Sequence, residues 1–371
     1  MKIKVSVIKC ESYKNIKKAV ALAVEQLGIS LEAKKVLIKP NVLGPYRPEQ
    51  AVTTHPDFIR AVCELFDKDT LIYICDSSGT DLGGYTKKAL EISEIKPIEK
   101  EFDNVKVMSF DSQELEKIDS DSKLLNGIFI PKLLKEVDLI INLPKLKTHT
   151  FTQYTGAVKN LFGCIPGTGK ARMHKKCENA EIFAKMLLDL HDIVKPNLSI
   201  MDGVLGMEGN GPNIGDPKWF GVVLASENAV ALDMEASRII GFKPGEVLTN
   251  RYALDLVKPD DLVILGDKGL NRSCKKPIFA KNFSYYLPKF IRRSLYELEL
   301  NIDVDKCKRC KICYKSCPVN AIDDNGKRLK INHKKCIGCH CCHELCPYGA
   351  VEFKGGFLRV VVNKVQTWLR K

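Results

Sequence analysis

A duplicated cysteine pattern near the C-terminus constrains the fold of this chain more than any other feature of its sequence. Two stretches, beginning at Ile302 and Ile331, align with a period of 29 residues, and each contains C-x2-C-x2-C-x3-C-P. The cysteines of the pattern are Cys307, Cys310, Cys313 and Cys317 in the first copy and Cys336, Cys339, Cys342 and Cys346 in the second. Cysteine runs with this spacing are the signature of bacterial-type 4Fe–4S sites, in which thiolates hold the cluster irons.

The proline that follows each fourth cysteine indicates how the ligands are shared. Three thiolates wrap one loop around one cluster, whereas the proline fixes φ and turns the fourth thiolate away from that loop. We therefore predict two 4Fe–4S clusters with exchanged fourth ligands. The predicted ligands are Cys307, Cys310, Cys313 and Cys346 for cluster one, and Cys336, Cys339, Cys342 and Cys317 for cluster two.

A pair of zinc sites is the alternative interpretation of these cysteines. Zinc motifs usually contain two separated cysteine pairs, not two triplets each followed by Cys-Pro. Cys341 is interpreted as a bystander thiol, which a rearranged cluster could recruit. Nine of the 15 cysteines lie between Cys307 and Cys346, and a chain of 371 residues is too long for a small secreted disulfide scaffold. We therefore expect metal ligation in a reducing compartment.

The charge of the chain is uneven. The formal net charge is +13, and most of this excess belongs to residues 281–371. A basic region of this kind suits nucleic acid, an anionic membrane surface or an acidic protein. The cysteine motifs favour a redox partner protein, and no recognition motif favours nucleic acid. The chain has no apolar run of about 18 residues and no apolar signal segment at its N-terminus, so we expect a cytoplasmic protein.

Residues 1–280 alternate strand-like apolar runs with amphipathic helical patterns. This alternation predicts an α/β domain with a mainly parallel sheet and helices on both faces. The predicted helices are Ile16–Leu27, one that starts at Pro56, Glu181–Val194 and Asn228–Ile240. The predicted strands are Ile3–Ile8, Val36–Ile38, Leu71–Cys75, Val105–Phe110, Leu139–Leu143, Leu198–Met201, Gly221–Ala225 and Leu262–Leu265.

Four of these strands lead directly into polar loops. In open α/β sheets, ligands bind beyond the carboxyl ends of the strands. The lysines in these loops predict an anionic small molecule, such as a carboxylate or a phosphate, and the helix expected within 155–163 would face it with its N-terminal amides. The alternative is that the lysines are solvated loop residues. The predicted ligand-binding residues are Lys39, Asn41, Lys145, Lys147, Lys159, Asn160, Asp202 and Glu208, with Lys170 nearby.

Histidines near the same loops suit proton transfer. His149 and His55 are the predicted catalytic residues, and His174 lies close to the same loops in sequence. The chain contains neither a Walker A motif nor a G-x-G-x-x-G fingerprint, so no motif indicates nucleotide binding.

Several motifs, in order, resemble the family called domain of unknown function 362. They are KPNVL, TTHP, LPKLKTH, TGAVKNLFG, DGVLGMEGNGP with Gly215, and ALD, and they span about residues 1–280. The resemblance implies motif positions rather than a reaction, and adds Thr54 and Asp233 to the residues named above. The C-terminal part is similar to bacterial-type two-cluster ferredoxins, which implies a small α+β ferredoxin-like module at 301–355.

The remaining segments are amphipathic. The linker at 281–300 and the tail at 356–371 interleave aromatic and aliphatic residues with lysine and arginine. We expect both to pack against the protein itself, with contact to an anionic membrane surface as the less favoured alternative.

The fusion of a cluster module to a predicted ligand site favours an iron–sulfur oxidoreductase. Electrons from a soluble donor would pass from one cluster to the other and then to the anionic ligand, with His149 or His55 transferring protons. The alternative is a non-catalytic ferredoxin-type electron carrier whose α/β domain binds a partner or a ligand. A third interpretation has that domain handling a cofactor or metal during maturation.

Overall fold

The computed structural model of the chain describes residues 2–80, 82–177, 179–277 and 299–354. The chain divides into two compact units, Met1–Pro277 and Ile278–Lys371. Residues 281–298 of the predicted linker and the whole of the predicted tail lie outside the described residues. Within the described ranges, no helix is both long enough and apolar enough to cross a membrane.

The N-terminal unit contains a ten-stranded sheet and a separate hairpin. Along the sheet the order is β12-β1-β11-β10-β7-β2-β3-β4, with β8 beside β10 and β9 beside β8. The strands are β1 Ile3–Lys9, β2 Lys35–Pro40, β3 Leu71–Asp76, β4 Val105–Ser109, β5 Leu115–Lys117, β6 Phe129–Pro131, β7 Leu139–Leu143, β8 Lys145–His149, β9 Gln153–Thr155, β10 Leu198–Glu208, β11 Asp216–Ser226 and β12 Leu262–Gly266, and β5 pairs with β6.

The sheet is mainly parallel, as the sequence predicts. Strands β10, β7, β2, β3 and β4 pair in parallel, as do β1 with β12 and β10 with β8. Only β11 and β9 run antiparallel to their neighbours in this sheet. The carboxyl ends of β2, β3, β7 and β10 therefore point the same way, which brings together the residues that follow them.

Helices cover both faces of the sheet. Along β2, Leu37 enters one apolar core, whereas Val36 and Ile38 enter the other, as the alternation of a strand requires. The first core also takes residues of α5, α7 and α8, and the second takes residues of α1, α2 and α3. The helices are α1 Ile16–Glu25, α2 Pro56–Cys63, α3 Tyr85–Ile92, α4 Leu133–Glu136, α5 Ala157–Asn160, α6 Gly169–Lys176, α7 Ala180–Val194, α8 Ala229–Ile239 and α9 Leu248–Tyr252.

Two segments expected to be loops are strands. Lys145–His149 forms β8, and the strand predicted to end at Met201 continues to Glu208. The reason is pairing: β10 remains paired with β11 as far as Glu208, while β8 pairs with β10 at Lys145 and Lys147. The pairing of β8 with β10 has no signal in the local sequence, since Lys145 and Asp202 lie 57 residues apart along the chain.

The C-terminal unit shows the duplication in its backbone. Strand β13 Glu299–Ile302 pairs with β16 Val351–Lys354, and β14 Ile322–Asp324 pairs with β15 Leu329–Ile331. A short helix follows the second cysteine of each copy, α10 Ile312–Lys315 and α11 Cys341–Glu344. Left-handed residues recur with the sequence period of 29, in the pairs Arg309 and Gly338, Lys311 and His340, and Asn320 and Gly349.

Candidate functional site

A buried ion pair lies at the carboxyl ends of β2 and β3. Lys39 Nζ is 2.7 Å from Asp76 Oδ1, and Val42 N donates to Asp76 Oδ2, also at 2.7 Å. The side chains of Lys39 and Asp76 are 0% and 3% exposed. A charge buried to this degree is tolerated only with a close partner, because the desolvation of a lone ion is costly.

A second buried ion pair joins β8 to β10. Lys145 Nζ lies 2.7 Å from Asp202 Oδ2, and neither side chain is exposed. Tyr13 OH donates to Asp202 Oδ1 at 2.9 Å and accepts from Lys145 Nζ at 3.1 Å. Burial lowers the pKa of Lys145, against the opposing effect of Asp202. Burial and then Asp202 raise the pKa of Tyr13 far above its ordinary value, so the phenol keeps its proton.

His55 lies at the edge of this second ion pair. It is the N-cap residue of α2, where its Nδ1 accepts from Asp57 N at 3.2 Å, while its own amide donates to Asp202 Oδ2 at 2.9 Å. Its ring stacks on Tyr13 with 3.7 Å between centroids, and its side chain is 17% exposed. Burial lowers the pKa of His55, although Asp202 opposes this effect, so the ring is neutral at neutral pH.

A network of side-chain amides links the ends of β2 and β7 to α5. Lys147 Nζ donates to Asn41 Oδ1 at 2.6 Å and to Val52 O at 2.7 Å. Asn41 Nδ2 donates to Asn160 Oδ1 at 2.9 Å, and Asn160 Nδ2 donates to Asn142 Oδ1 at 2.8 Å. The structure thus brings together three of the predicted ligand-binding residues, Asn41, Lys147 and Asn160.

The anion expected at the N-terminus of α5 is a carboxylate of the protein itself. Ala157 N donates to Asp233 Oδ1 at 2.6 Å, Val158 N donates to Oδ2 at 3.0 Å, and Tyr154 OH donates to Oδ1 at 3.2 Å. Burial raises the pKa of Asp233 to about 7, although the three donors oppose it. These amides are therefore occupied, which corrects the expectation that they face an external ligand.

Three other predicted residues are placed along neighbouring elements. His149, the last residue of β8, is buried, and its Nδ1 accepts from Phe151 N at 3.0 Å. Glu208, the last residue of β10, accepts from Lys218 Nζ at 2.9 Å and from Lys275 N at 3.0 Å. Lys159 is half-buried on α5. The structure therefore does not gather all predicted residues around one point, and their roles as ligand-binding or catalytic residues stay predictions.

His174 lies in an aromatic cage. Its ring stacks on Phe183 with 4.7 Å between centroids and meets the edge of Phe162 at 5.4 Å. Burial, reinforced by Lys159 and Lys170, lowers its pKa to about 3. A neutral, enclosed ring of this kind packs the core beside α6 and α7.

Sequence reasoning missed Tyr13, which contacts both Lys145 and Asp202. It lies 189 residues before Asp202, and no motif surrounds it, so only the fold could reveal its role. The sequence did indicate a position for Asp76 at the sheet edge, since it is the first polar residue after a predicted strand. Nothing in the sequence indicated that it pairs with Lys39.

The C-terminal cysteines meet across the two loops. Burial is the main cause that raises the pKa of Cys313 to about 12, and the nearby sulfurs of Cys346, Cys310 and Cys307 also raise it. Burial and then the thiols of Cys339, Cys336, Cys313 and Cys317 raise the pKa of Cys342 well above its ordinary value. Cys346 thus lies near Cys313 of the first loop, and Cys317 lies near Cys342 of the second. Sulfurs gathered in this way suit iron, because a cation stabilises crowded thiolates.

Backbone amides also point at these sulfurs. Ala321 N donates to Cys317 Sγ at 3.2 Å, and Ala350 N donates to Cys346 Sγ at 3.3 Å, at equivalent positions of the two copies. Hydrogen bonds to ligand sulfurs raise the reduction potential of an iron–sulfur cluster.

Comparisons with known proteins match the two units separately. The family described as domain of unknown function (DUF362) matches residues 36–238, and the family described as 4Fe-4S dicluster domain matches residues 299–347. The thylakoid-associated protein sll1697 of Synechocystis sp. is 34% identical over 217 residues, which are 58% of this chain and 65% of that relative. This chain therefore spans less than two thirds of the length of that relative.

Among solved structures, the lactate racemase apoprotein from Thermoanaerobacterium thermosaccharolyticum is similar to this chain. The TM-score is 0.44 and the sequence identity is 14%, over 64% of this chain and 56% of the racemase chain.

Proposed function

We propose that this chain, which belongs to the DUF362 family and also carries a 4Fe–4S dicluster domain, couples electron transfer to a reaction on an anionic ligand. Its C-terminal domain is of the kind that binds 4Fe–4S clusters, and we propose two clusters held by the exchanged sets of cysteines. Such clusters supply single electrons at low potential. The α/β domain would then bind the molecule that is reduced or oxidised.

The observation that carries the proposal is the convergence of buried lysines at one sheet edge. The side chains of Lys39, Lys145 and Lys147 are 0–1% exposed, and all three project from strands whose carboxyl ends point the same way. Lysine is almost never buried without a specific reason. Two of these ammonium groups are paired with carboxylates, and that of Lys147 donates to two amide oxygens. We propose that the charge of Lys147 favours an anion near the amide groups of Asn41 and Asn160.

In this scheme, His55 is the residue that transfers the proton. Its ring is neutral at neutral pH and partly exposed, so it can take up a proton and deliver it to a reduced ligand. Its stacking on Tyr13 and its position at the start of α2 fix the ring. In His149, Nδ1 accepts a hydrogen bond from the amide of Phe151, so the ring carries its proton on Nε2 and would act as a donor there.

Native mass spectrometry of the full chain, purified without oxygen, tests the binding part of the proposal. We expect a mass equal to the chain, two clusters and a small anion, with acid-released material identifying the anion. Lys147→Met should lose the anion but keep the clusters, whereas Lys276→Met, at a pair with Glu246 outside the predicted site, should keep both. A ligand-free wild-type protein would contradict the proposed anion site.

A specific observation favours the second candidate, a non-catalytic electron carrier. Lys39 and Lys145 already have internal carboxylate partners, Asp76 and Asp202, each at 2.7 Å. An internally neutralised edge suits a domain that binds a partner without chemistry. In that case the clusters should cycle between oxidation states, while no small molecule accepts their electrons.

The redox partner is part of the proposal. On the C-terminal unit, Lys306 pairs with Glu352, and Lys311 and Arg309 pair with Asp324, which reduces the basic surface expected from the sequence. Lys308, Lys315, Lys334 and Lys335 add further positive charge to the cysteine loops. We propose an acidic cytoplasmic redox protein as the partner, with an association rate that falls as salt rises.

A further inference from the structure

The hydroxyl of Ser77 contacts the amine of Lys170. Ser77 directly follows β3, at the carboxyl edge of the sheet, and Lys170 is the second residue of α6. Lys170 Nζ donates to Ser77 Oγ, and Ser77 Oγ donates to Gly163 O at 2.7 Å. Both residues are buried, at 2% and 6% exposure. Neither residue belongs to the ion pairs or the amide network described above.

The surroundings of Lys170 favour its uncharged form. Burial is the main cause that lowers the pKa of Lys170 to about 8. The charge of Lys39 lowers this pKa further, whereas the carboxylates of Asp111 and Asp76 raise it. A lysine amine whose pKa is this close to neutrality can accept a proton, which an ordinary lysine cannot do at pH 7.

The two segments that carry Ser77 and Lys170 are fixed against each other. Asp111 Oδ1 accepts from Gly167 N at 3.0 Å, in the turn before α6, and Asp111 Oδ2 accepts from Thr86 Oγ1 at 2.6 Å. Thr86 Oγ1 in turn lies 2.8 Å from the hydroxyl of Ser78. One carboxylate therefore ties the loop after β3 to the start of α6, which holds the serine and the lysine in register.

Gly163 is a further constraint on this geometry. A Cβ added there would lie 2.1 Å from Asp76 Oδ1 and 2.7 Å from Lys39 Nζ. Glycine allows the chain to pass close enough for its carbonyl to accept from Ser77. The hydroxyl is thus held between a carbonyl and an amine, and its hydrogen can rotate towards the amine when that amine is uncharged.

We propose that Ser77 and Lys170 form a nucleophile and general base that take acyl groups from esters or thioesters. The Lys170 amine accepts the proton of Ser77 Oγ while that oxygen attacks the carbonyl carbon. The C–O or C–S bond to the leaving group breaks, and the leaving alcohol or thiol takes the proton from the Lys170 ammonium. Water then adds to the acyl-serine, again with Lys170 as base, and the carboxylic acid and free Ser77 are released.

This activity is independent of the redox proposal, since it uses neither the clusters nor His55. The test uses the full chain and an alkyl fluorophosphonate, a probe that phosphonylates activated serines with loss of fluoride. We expect one adduct in the intact mass, located on Ser77 by peptide mapping. The labelling rate should rise with pH as Lys170 loses its proton, with a midpoint near 8.

Variants separate the roles of the two residues. Ser77→Ala should abolish the adduct, and Lys170→Gln should slow labelling about 100-fold or more, as expected when a general base is lost. Lys170→Arg keeps the positive charge but cannot act as a base, so Ser77 should be labelled slowly in this variant even if its fold is intact. The matched control is Ser93→Ala, a buried serine at the end of α3 whose hydroxyl donates to Leu90 O, and this variant should label at the wild-type rate.

Two results would overturn the proposal. One is a folded wild-type chain that forms no adduct on Ser77 at any pH at which the fold is retained. The other is labelling of Ser77 at the same rate in the wild type and in Lys170→Arg, which would show that the lysine does not activate the serine. Loss of the visible cluster absorbance or of the wild-type circular dichroism spectrum identifies any variant that has not folded.

Discussion

Lys145 Nζ lies 2.7 Å from the carboxylate of Asp202, and neither side chain is exposed to solvent. The same carboxylate accepts hydrogen bonds from Tyr13 OH and from the backbone amide of His55. One aspartate therefore joins four segments of the chain: the turn before α1, the start of α2, β8 and β10. This relationship makes Asp202 the centre of the part of the sheet edge that includes the proposed proton-transfer residue.

Removal of one partner of this ion pair should strongly destabilise the α/β unit. Asp202→Ala leaves the Lys145 ammonium buried without its carboxylate, and we expect the free energy of unfolding to fall by about 3–5 kcal/mol. Asp216→Ala is the control, because Asp216 pairs with Lys275 at 3.2 Å while 69% exposed, and its loss should cost at most about 1 kcal/mol. Equal effects in denaturant titrations would contradict a buried pair.

The contact between Gly156 and Asp233 predicts a steric effect. A Cβ at Gly156 would lie 2.0 Å from Asp233 Oδ1 and 2.4 Å from the Tyr154 ring, so Gly156→Ala should displace the carboxylate from the α5 amides. We expect a cost of about 1–3 kcal/mol or more from this overpacking, because the neighbours are buried.

Gly28→Ala serves as the comparison for this prediction. Gly28 has a φ of +69° but no neighbour within 4 Å of an added Cβ, so its substitution carries only the backbone cost of about 1 kcal/mol. If both variants unfold at the same denaturant concentration, the close approach of Gly156 to Asp233 is not a constraint.

The lowered pKa of the buried His174 predicts that the stability of the α/β unit depends on pH. Its pKa is about 3 in the folded protein, below the ordinary 6.5, so the unfolded chain takes up a proton that the folded chain refuses. The contribution of His174 to stability is therefore complete above pH 6.5 and is lost as the pH falls towards 3. His174→Phe, which suits the aromatic cage, should gain about 2 kcal/mol relative to the wild type between about pH 7.5 and pH 5.

The measurement for His174 is the difference between the two unfolding free energies at each pH, since other titrating groups then cancel. His191→Phe provides the reference, because His191 is half-buried on α7 beside Asp192 at 3.1 Å and not enclosed by aromatic rings. A difference for His174→Phe that does not change with pH would mean that this ring titrates normally.

The exchanged cysteine pairing predicts which variants should look alike. Cys310→Ala and Cys346→Ala should disturb the same cluster, so the residual electron paramagnetic resonance spectrum should be the same in both. Cys317→Ala should disturb the other cluster and leave a different spectrum. Iron analysis should give about eight atoms per chain for the wild type and for Cys341→Ala. A match between Cys346→Ala and Cys336→Ala would instead indicate unexchanged loops.

The cysteine spacing and the strand–helix alternation carried most of what the sequence could predict. Both are local properties of the sequence, so the ferredoxin-type module followed from the cysteine spacing and the fold class of the α/β domain followed from the alternation. The two ion pairs did not follow, because Asp76 lies 37 residues from Lys39 and Asp202 lies 57 residues from Lys145. A lysine next to a strand end looks the same in sequence whether it is solvated or fully buried.

Asp233 shows a second kind of limit. A short helix with free N-terminal amides predicts an anion, and an anion is present, but it comes from α8 of the same chain. A sequence pattern indicates that the N-terminal amides of a helix require a hydrogen-bond acceptor, but it does not indicate which side chain supplies that acceptor. The same holds for Tyr13, whose hydroxyl reaches Asp202 only when the turn before α1 lies against β10.

Electron transfer from the reduced clusters to a small molecule tests the central claim most directly. The full chain, reduced with dithionite and freed of excess reductant without oxygen, would be mixed in a stopped-flow instrument with a panel of 2-oxo and unsaturated carboxylates. We predict that at least one restores the visible cluster absorbance faster than buffer alone, and that His55→Ala slows this step while keeping its iron. Reoxidation at the buffer rate by every member of the panel, with intact clusters, would contradict the coupled reaction and favour the electron carrier.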